Sequence, residues 1–227
     1  MQTCNEKRLQ QFIEQFSEFG KTENNGVTRL SLSDEDISAR NRLQELCEEL
    51  GMHVVYDDMG NMYATLRGKK DLPPIVMGSH LDSVVKGGRF DGVLGVLTAL
   101  EVVSTIKENN IELDYPLTIV NFTNEEGARF EPSIMSSGVL SGKFDKEKML
   151  ASTDKDGITF GTALRKSGFE GSEANRLQEA SAFLELHIEQ GPVLEQNNLD
   201  IGAVEGVLGM VCYEISVRGE SNQHQFP

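Results

Sequence analysis

Residues 78–95, with the sequence GSHLDSVVKGGRFDGVLG, are the stretch from which the fold of this chain is predicted. They follow a short apolar run, residues 74–77, of the kind that forms a buried parallel strand. The first polar residues of the stretch therefore fall at the carboxyl end of that strand, where open α/β sheets bind ligands. His80, Asp82 and Asp91 are side chains of metal-ligand type set among glycines. The stretch predicts half of a metal site at a sheet edge.

The spacing within this stretch suggests a role for each polar side chain. If the extended geometry persists as far as Asp82, then His80 and Asp82 point to the same side of the strand. Such a pair suits a metal-binding histidine and the carboxylate that orients its ring. Asp91 follows a glycine-containing loop and precedes an apolar helix pattern over residues 93–106. A carboxylate in that place is suited to bridging two metal ions.

Two further apolar runs end in side chains of the same kind. Residues 117–122 lead into Glu125 and Glu126, and residues 182–186 lead into His187. Adjacent carboxylates at a strand end can divide the work, one binding a metal and the other acting as general base, although two solvated acids in a turn are an alternative. A lone histidine on an apolar strand is more often a core residue. The repeat of polar residues at three strand ends nevertheless favours a shared site.

The rest of the chain predicts supporting elements and no second motif. Apolar residues at helical spacing and a serine cap predict helices, and two short strand-like runs around a turn predict a hairpin. A segment of small, hydroxyl-bearing residues predicts a loop over the site. His53, at the start of the hairpin, is expected to be structural. The predicted ranges are helices over 6–19, 34–50 and 159–167, a hairpin over 52–66, a loop over 133–142, and two more strands over 201–204 and 211–217.

Composition excludes several classes of function. The net charge of −15 argues against a nucleic-acid partner, because phosphate binding needs clustered Lys and Arg. The chain has neither a secretory-type leader nor an apolar run near the about 20 residues that span a bilayer, so we expect no membrane partner and a cytoplasmic location. Cys4, Cys47 and Cys212 share no metal-type spacing and are expected to be reduced, structural thiols.

Three segments together resemble a known family: GSHLDSVVKGGRFDGVLGVLTALEVV, NFTNEEGARFEPSIMSSGVLSG and LELHIEQGPVLE. They are similar to the hydantoinase/carbamoylase branch of the dinuclear metallopeptidases related to aminoacylase and carboxypeptidase G. That branch includes N-carbamoyl-L-amino acid hydrolases, allantoate amidohydrolases and β-ureidopropionases. The resemblance runs in order from about residue 5 to residue 222. A histidine at the position of His187 is typical of this branch, where peptidase relatives usually carry an acidic residue.

The resemblance implies a fold and a domain organisation. The fold is a three-layer α/β/α zinc-peptidase-like catalytic domain with a mixed, largely parallel sheet. Residues 1–208 correspond to the amino-terminal part of that domain, and residues 209–227 to the beginning of a lid and dimerisation domain. Full-length relatives of this type are expected to be homodimers. Because only the beginning of the lid is matched, the resemblance implies a chain truncated at the start of the lid.

The resemblance also implies roles for individual residues. It implies two divalent metal ions (Zn, Mn, Co or Ni), with the second site incomplete in this chain. His224 stands one place late for the lid histidine that stabilises the reaction intermediate. The implied roles are metal ligands His80, Asp91, His187 and Glu126, with Asp91 bridging; general base Glu125; Asp82 as partner of His80; and Gln190 and His224 near the substrate.

The implied activity is hydrolysis of a ureido or carbamoyl C–N bond in a small-molecule substrate, by a metal-activated water whose proton Glu125 takes. An allantoate substrate would place the protein in purine catabolism. His187, with the Glu-Gln-Gly context that follows it, favours carbamoyl substrates over peptides. We expect little or no turnover from this chain because ligands are missing. The alternatives are a non-catalytic fragment, and an aminoacylase or dipeptidase on the same scaffold.

Overall fold

The structure, a computed structural model, describes residues 3–207, 209, 213 and 215–219. Its helices and strands are interspersed along the chain, as in an α/β protein. In chain order they are α1 (Glu6–Ser17), α2 (Asp34–Glu49), β1 (His53–Tyr56), β2 (Met62–Leu66), β3 (Ile75–His80), α3 (Val93–Glu108), β4 (Leu117–Phe122), α4 (Met135–Leu140), α5 (Lys146–Leu150), α6 (Phe160–Ser167), a 3₁₀ turn (Glu173–Asn175), β5 (Ala182–Leu184) and α7 (Val193–Gln196).

The five strands form one mixed sheet in the order β1-β2-β4-β3-β5. Strand β3 lies between β4 and β5 and is parallel to both. The hairpin β1–β2 joins the other side of β4 through antiparallel pairing. Only β2 runs against the common direction, so the carboxyl ends of β3, β4 and β5 meet at one edge.

The two faces of the sheet are set by the alternation of side chains along each strand. Met62 and Ala64 of β2 and Ile119 of β4 lie on the face that the large core cluster covers. Tyr63 and Val120, their neighbours in sequence, lie on the opposite face in a smaller cluster. Because the period is two, the apolar pattern of each strand fixes which of its residues enters which cluster.

Helices α1, α2 and α3 cover the first face. Apolar residues of all three helices belong to the same core cluster as the strands. Helix α2 begins where Ser33 accepts a hydrogen bond from the backbone N–H of Asp36, as the sequence predicts. Asp36 and Arg40, one turn apart on this helix, form a fully buried ion pair with 2.9 Å between Oδ2 and Nε.

Helices α4 and α6 build a second cluster beside the sheet. Phe130, Phe160 and Leu164 are fully buried there, together with Met59 from the turn of the hairpin. The predicted loop over residues 133–142 is thus largely a helix. The expectation of a loop was wrong because its small residues pack: Phe144 leaves no room for a side chain at Gly138, where an added Cβ would lie 2.3 Å from the ring.

The predicted α/β fold with a mixed sheet is confirmed, and two strand predictions need comment. Residues 201–204 form no strand, and Ile201 and Val204 are exposed, since the described residues give this segment no strand to pair with. The strand predicted over 211–217 falls in part on residues outside the described ranges, as does Cys212. Among the described residues, no helix combines the length and the apolar character that crossing a bilayer demands.

The chain divides into two compact units, residues 1–188 and residues 189–227. The first holds the sheet and helices α1 to α6. The second holds α7, where Glu189 accepts hydrogen bonds from the backbone N–H groups of Val193 and Leu194, both at 2.9 Å. The predicted division between residues 208 and 209 stays a prediction.

Candidate metal centre

The candidate site lies at the carboxyl edge of β3, β4 and β5. His80 is the last residue of β3 and pairs with Phe122, the last residue of β4. Glu125 and Glu126 follow β4, and His187 follows β5. This is the edge at which parallel sheets bind ligands, because the loops that leave neighbouring strands meet there.

His80, Asp91 and His187 come together at this edge. One ligand atom from each lies within 4.8 Å of the others, and the three residues form the group that could hold a metal ion among the described part of the chain. His187 Nε2 lies 3.1 Å from Asp91 Oδ1. His80 is buried, Asp91 half-buried and His187 exposed. Two imidazole nitrogens and a carboxylate oxygen are a donor set that suits zinc and its neighbours in the first transition series.

Both histidines use the same ring nitrogen, Nδ1, to contact a backbone carbonyl. His80 Nδ1 lies 2.9 Å from the backbone oxygen of Asp82, and His187 Nδ1 lies 2.8 Å from that of Ile188. A carbonyl oxygen only accepts, so each Nδ1 carries the proton and donates it. Each Nε2 then keeps its lone pair for a metal, which is the tautomer that a hydrogen bond at the other nitrogen selects.

Asp82 lies beside the His80 ring and also contacts the two adjacent acids. Its carboxylate lies 3.6 Å from His80 Nδ1, while its backbone carbonyl makes the closer contact. The carboxylate also accepts hydrogen bonds from the backbone N–H groups of Glu125 at 3.2 Å and Glu126 at 3.1 Å. Asp82 therefore fixes the position of the two adjacent acids.

Glu125 is held by helix α4. The backbone N–H of Ser137 donates to Oε1 at 3.3 Å, and its hydroxyl donates to Oε2 at 2.9 Å. Burial raises the pKa of Glu125 to about 7; the hydrogen bonds from Ser137 oppose that rise, and the nearby Asp82 charge adds to it. A carboxyl group that titrates near neutral pH is suited to take a proton and return it.

Glu126 lies next to the three-residue group without joining it. Burial raises the pKa of Glu126, His80 lowers it, and the charges of Asp91 and Asp82 raise it again. Such crowding of acids is typical of a place where a cation binds, since a positive charge there would relieve the repulsion between the carboxylates.

Two predicted substrate residues do not belong to the described part of the first unit. Gln190 belongs to the second unit, and His224 lies outside the described residues. Their roles stay predictions. His53 lies exposed on β1, away from the carboxyl edge, which agrees with its expected structural role. Cys4 is an exposed free thiol and Cys47 a buried one, and burial raises the pKa of Cys47 to about 12.

The structure adds residues that the sequence did not single out. Ser137 holds the Glu125 carboxylate, and Ser79 donates a hydrogen bond to Glu185. At Gly92 an added Cβ would lie 2.4 Å from the ring of His80. Of these three residues, only Gly92 could have been predicted from the sequence, because a glycine directly after Asp91 and before a helix indicates that two backbone segments approach closely. The two serines had no such signal, since their partners are distant in sequence.

Comparison with known proteins gives a consistent result. The profile of peptidase family M20/M25/M40 matches residues 76–226. An N-carbamoyl-L-amino-acid amidohydrolase of Rhizobium meliloti is 39% identical over 216 residues, which cover 95% of this chain and 52% of the relative. An allantoate amidohydrolase of Bacillus subtilis is 33% identical over 214 residues, covering 93% of this chain and 52% of the relative.

Solved structures agree with these relatives. The crystal structure of a hydantoinase/carbamoylase family amidase from Burkholderia ambifaria superposes with a TM-score of 0.85 and 42% sequence identity, covering 87% of this chain and 49% of that one. The chain spans about half the length of the curated relatives that it matches. The resemblance found in the sequence is therefore confirmed at the level of the fold and the family.

Proposed function

Since the chain belongs to peptidase family M20/M25/M40, we propose that its residues form the metal site and general base of an amidohydrolase that cleaves a ureido or carbamoyl C–N bond. The observation that supports this most directly is the meeting of His80, Asp91 and His187 at one sheet edge. The proposed substrates are N-carbamoyl-L-amino acids or allantoate, after the names of the relatives.

In this proposal His80, Asp91 and His187 would hold one divalent ion, and Asp91 together with Glu126 would hold a second. The donor set admits Zn, Mn, Co and Ni alike. When bound, such ions lower the pKa of a coordinated water towards about 7 and polarise the substrate carbonyl.

Glu125 moves the proton in the proposed reaction. Its carboxylate takes a proton from the attacking water and, once protonated, gives it to the departing nitrogen, so one group serves as base and then as acid. A pKa of about 7 makes both steps accessible near neutral pH. Ser137 holds the Glu125 carboxylate in place, and Asp82 accepts a hydrogen bond from the backbone N–H of Glu125.

We also propose that turnover by this chain is low. Asp91 and Glu126 are the two side chains assigned to the second ion, and a zinc site normally has three protein ligands plus water. The proposed roles of Gln190 and His224, the homodimer, the cytoplasmic location and the part in purine catabolism remain predictions beside this one.

The proposal is tested by metal analysis and ammonia release. We expect the purified chain to retain divalent metal, and to release ammonia from N-carbamoyl-L-amino acids or allantoate at a low rate that requires Zn²⁺ or Mn²⁺. Glu125→Gln should keep the metal and lose the release, because the amide cannot accept the proton. Equal rates in the wild-type chain and in this variant would contradict the proposal, and would favour a non-catalytic fragment.

A peptidase is the second candidate, because the matching family profile carries that description. N-acetyl amino acids and dipeptides therefore serve as competing substrates in the same assay. Preference for them over carbamoyl substrates, with the same dependence on Glu125, would move the function to an aminoacylase or dipeptidase.

A further inference from the structure

The backbone pairing of β3 with β5 ends before it reaches the two histidines. The register runs from Ile75 opposite Ala182 to Met77 opposite Leu184. His80 and His187 each lie three residues beyond the last pair. The strand ladder therefore does not itself hold the two histidine-bearing ends side by side.

A side-chain hydrogen bond joins the two segments at that point. The hydroxyl of Ser79 donates to Glu185 Oε1. Ser79 is buried and directly precedes His80, and Glu185 stands two residues before His187. A hydrogen bond to a carboxylate is charge-assisted and therefore stronger than one between neutral groups.

Helix α3 closes the same place from the other side. An added Cβ at Gly95 would lie 2.8 Å from Ser79 Cβ and 2.9 Å from the backbone oxygen of Leu186. The backbone of α3 thus packs directly against both segments. A shift of the segment 185–187 away from β3 would open this contact as well as break the hydrogen bond.

We propose that the Ser79–Glu185 hydrogen bond is a positioning contact that sets the separation of His80 and His187, and with it the affinity of the site for a divalent ion. The inference deepens the proposed function and rests on it for its metal readout. Ser79 and Glu185 are positioning residues here, acting through the histidines next to them.

The test measures Zn²⁺ affinity by competition with a chromophoric chelator. Ser79→Ala and Glu185→Ala should each weaken binding by about 10-fold or more, the size of effect seen when a partner behind a ligand is lost. The double variant should be no weaker than either single one, because both remove the same contact. Glu185→Gln should bind nearly as the wild-type chain does, because its side-chain carbonyl still accepts from Ser79.

Ser181→Ala is the matched control. The hydroxyl of Ser181 donates to the backbone oxygen of Pro73 at 2.7 Å, so it joins the same two segments at the opposite end of their pairing. Its loss should lower the temperature of unfolding as Ser79→Ala does, and leave Zn²⁺ affinity unchanged. An equal loss of affinity in Ser181→Ala, or none in Ser79→Ala, would overturn the inference.

A second readout needs no metal. In the metal-free chain, the ring C–H resonance of His187 should be single in the wild-type chain and in Ser181→Ala, and broadened or doubled in Ser79→Ala and Glu185→Ala. If the wild-type chain takes up no Zn²⁺, the proposed function fails. The His187 resonance then still tests whether the Ser79–Glu185 contact positions the histidine. An unaltered resonance in both variants would reject that role.

Discussion

His80 and His187 show how single residues are prepared for a metal. Each donates Nδ1–H to a backbone carbonyl, at 2.9 Å and 2.8 Å, and so keeps the lone pair of Nε2 for a metal. A carbonyl partner fixes the ring without adding charge, so the net charge of the site depends on its carboxylates.

Asp91→Ala should therefore abolish tight metal binding, because it removes the carboxylate that lies 3.1 Å from His187 Nε2. His187→Ala should weaken binding as well, because it removes one of the two nitrogen ligands. His53→Ala is the matched control, since this histidine is exposed and distant from the edge. Metal content by elemental analysis decides: an unchanged stoichiometry in Asp91→Ala would count against its role as a ligand.

Glu125 allows a prediction about its titration. The donors from Ser137 favour its charged form and so lower its pKa, against the larger effect of burial. Ser137→Ala removes the hydroxyl donor and keeps the backbone N–H donor, so the pKa of Glu125 should rise above about 7. Carbon-13 NMR of the Glu125 carboxyl in the metal-free chain measures it. Ser141→Ala is the control, because Ser141 lies one turn later at the end of α4 and its hydroxyl donates to the backbone oxygen of Gly138. A fall in the pKa would contradict this account.

Helix α3 positions the site at the level of elements. It begins directly after Gly92, whose φ of +67° and contact with the His80 ring both exclude a side chain. The start of α3 therefore lies in direct contact with the end of β3, next to Asp91, and only glycine fits there.

Gly92→Ala is expected to lower Zn²⁺ affinity in addition to straining the backbone. Gly142, with φ of +74° and no atom within 4 Å of an added Cβ, is its matched control. Both substitutions should destabilise the chain by about 1–2 kcal/mol through the left-handed backbone. Only Gly92→Ala should also lower Zn²⁺ affinity, since only its Cβ displaces His80. Chelator competition and urea unfolding separate the two effects, and equal affinities would refute the predicted displacement.

The ion pair of Arg8 and Glu101 joins α1 to α3. Arg8 Nε lies 2.6 Å from Glu101 Oε2, and the Glu101 side chain is fully buried. Burial raises the pKa of Glu101, but the hydrogen bonds from Arg8, Asn5 and Thr105 together outweigh it, and the pKa falls below its ordinary value.

The stability contributed by Glu101 should therefore depend on pH. A carboxylate with a lowered folded pKa stabilises the chain above its unfolded pKa, and that stability is lost as the pH falls through the folded pKa. Glu101→Gln should lower the free energy of unfolding by about 1–3 kcal/mol near neutral pH, and by less in acid. Glu112→Gln, which removes an exposed pair with Lys69, should do little at either pH. A loss that is constant with pH would rule out this linkage.

For the whole molecule, metal binding should appear as stability. The site draws on the end of β3, the connection to α3 and the segment after β5, so an ion that binds it stabilises the folded chain over the unfolded one. Zn²⁺ at about 100 times its Kd should add about 2.7 kcal/mol, and a chelator should reverse the gain. Asp91→Ala should show no gain at the same concentration. Thermal unfolding with and without Zn²⁺ measures this, and an equal rise in the variant would place the ion elsewhere.

The sequence by itself determined the five strands of the sheet, the main helices and the arrival of two histidines and the acids at one edge, and it was wrong about a strand over 201–204. These features follow from local periodicity and from the direction of parallel strands. Only the tertiary structure decided that Asp82 holds the backbone of Glu125, that Ser137 holds its carboxylate, and that Ser79 meets Glu185. The physical reason is that each contact depends on where a strand stops and on which distant segment packs there, and neither is a periodic property of the chain.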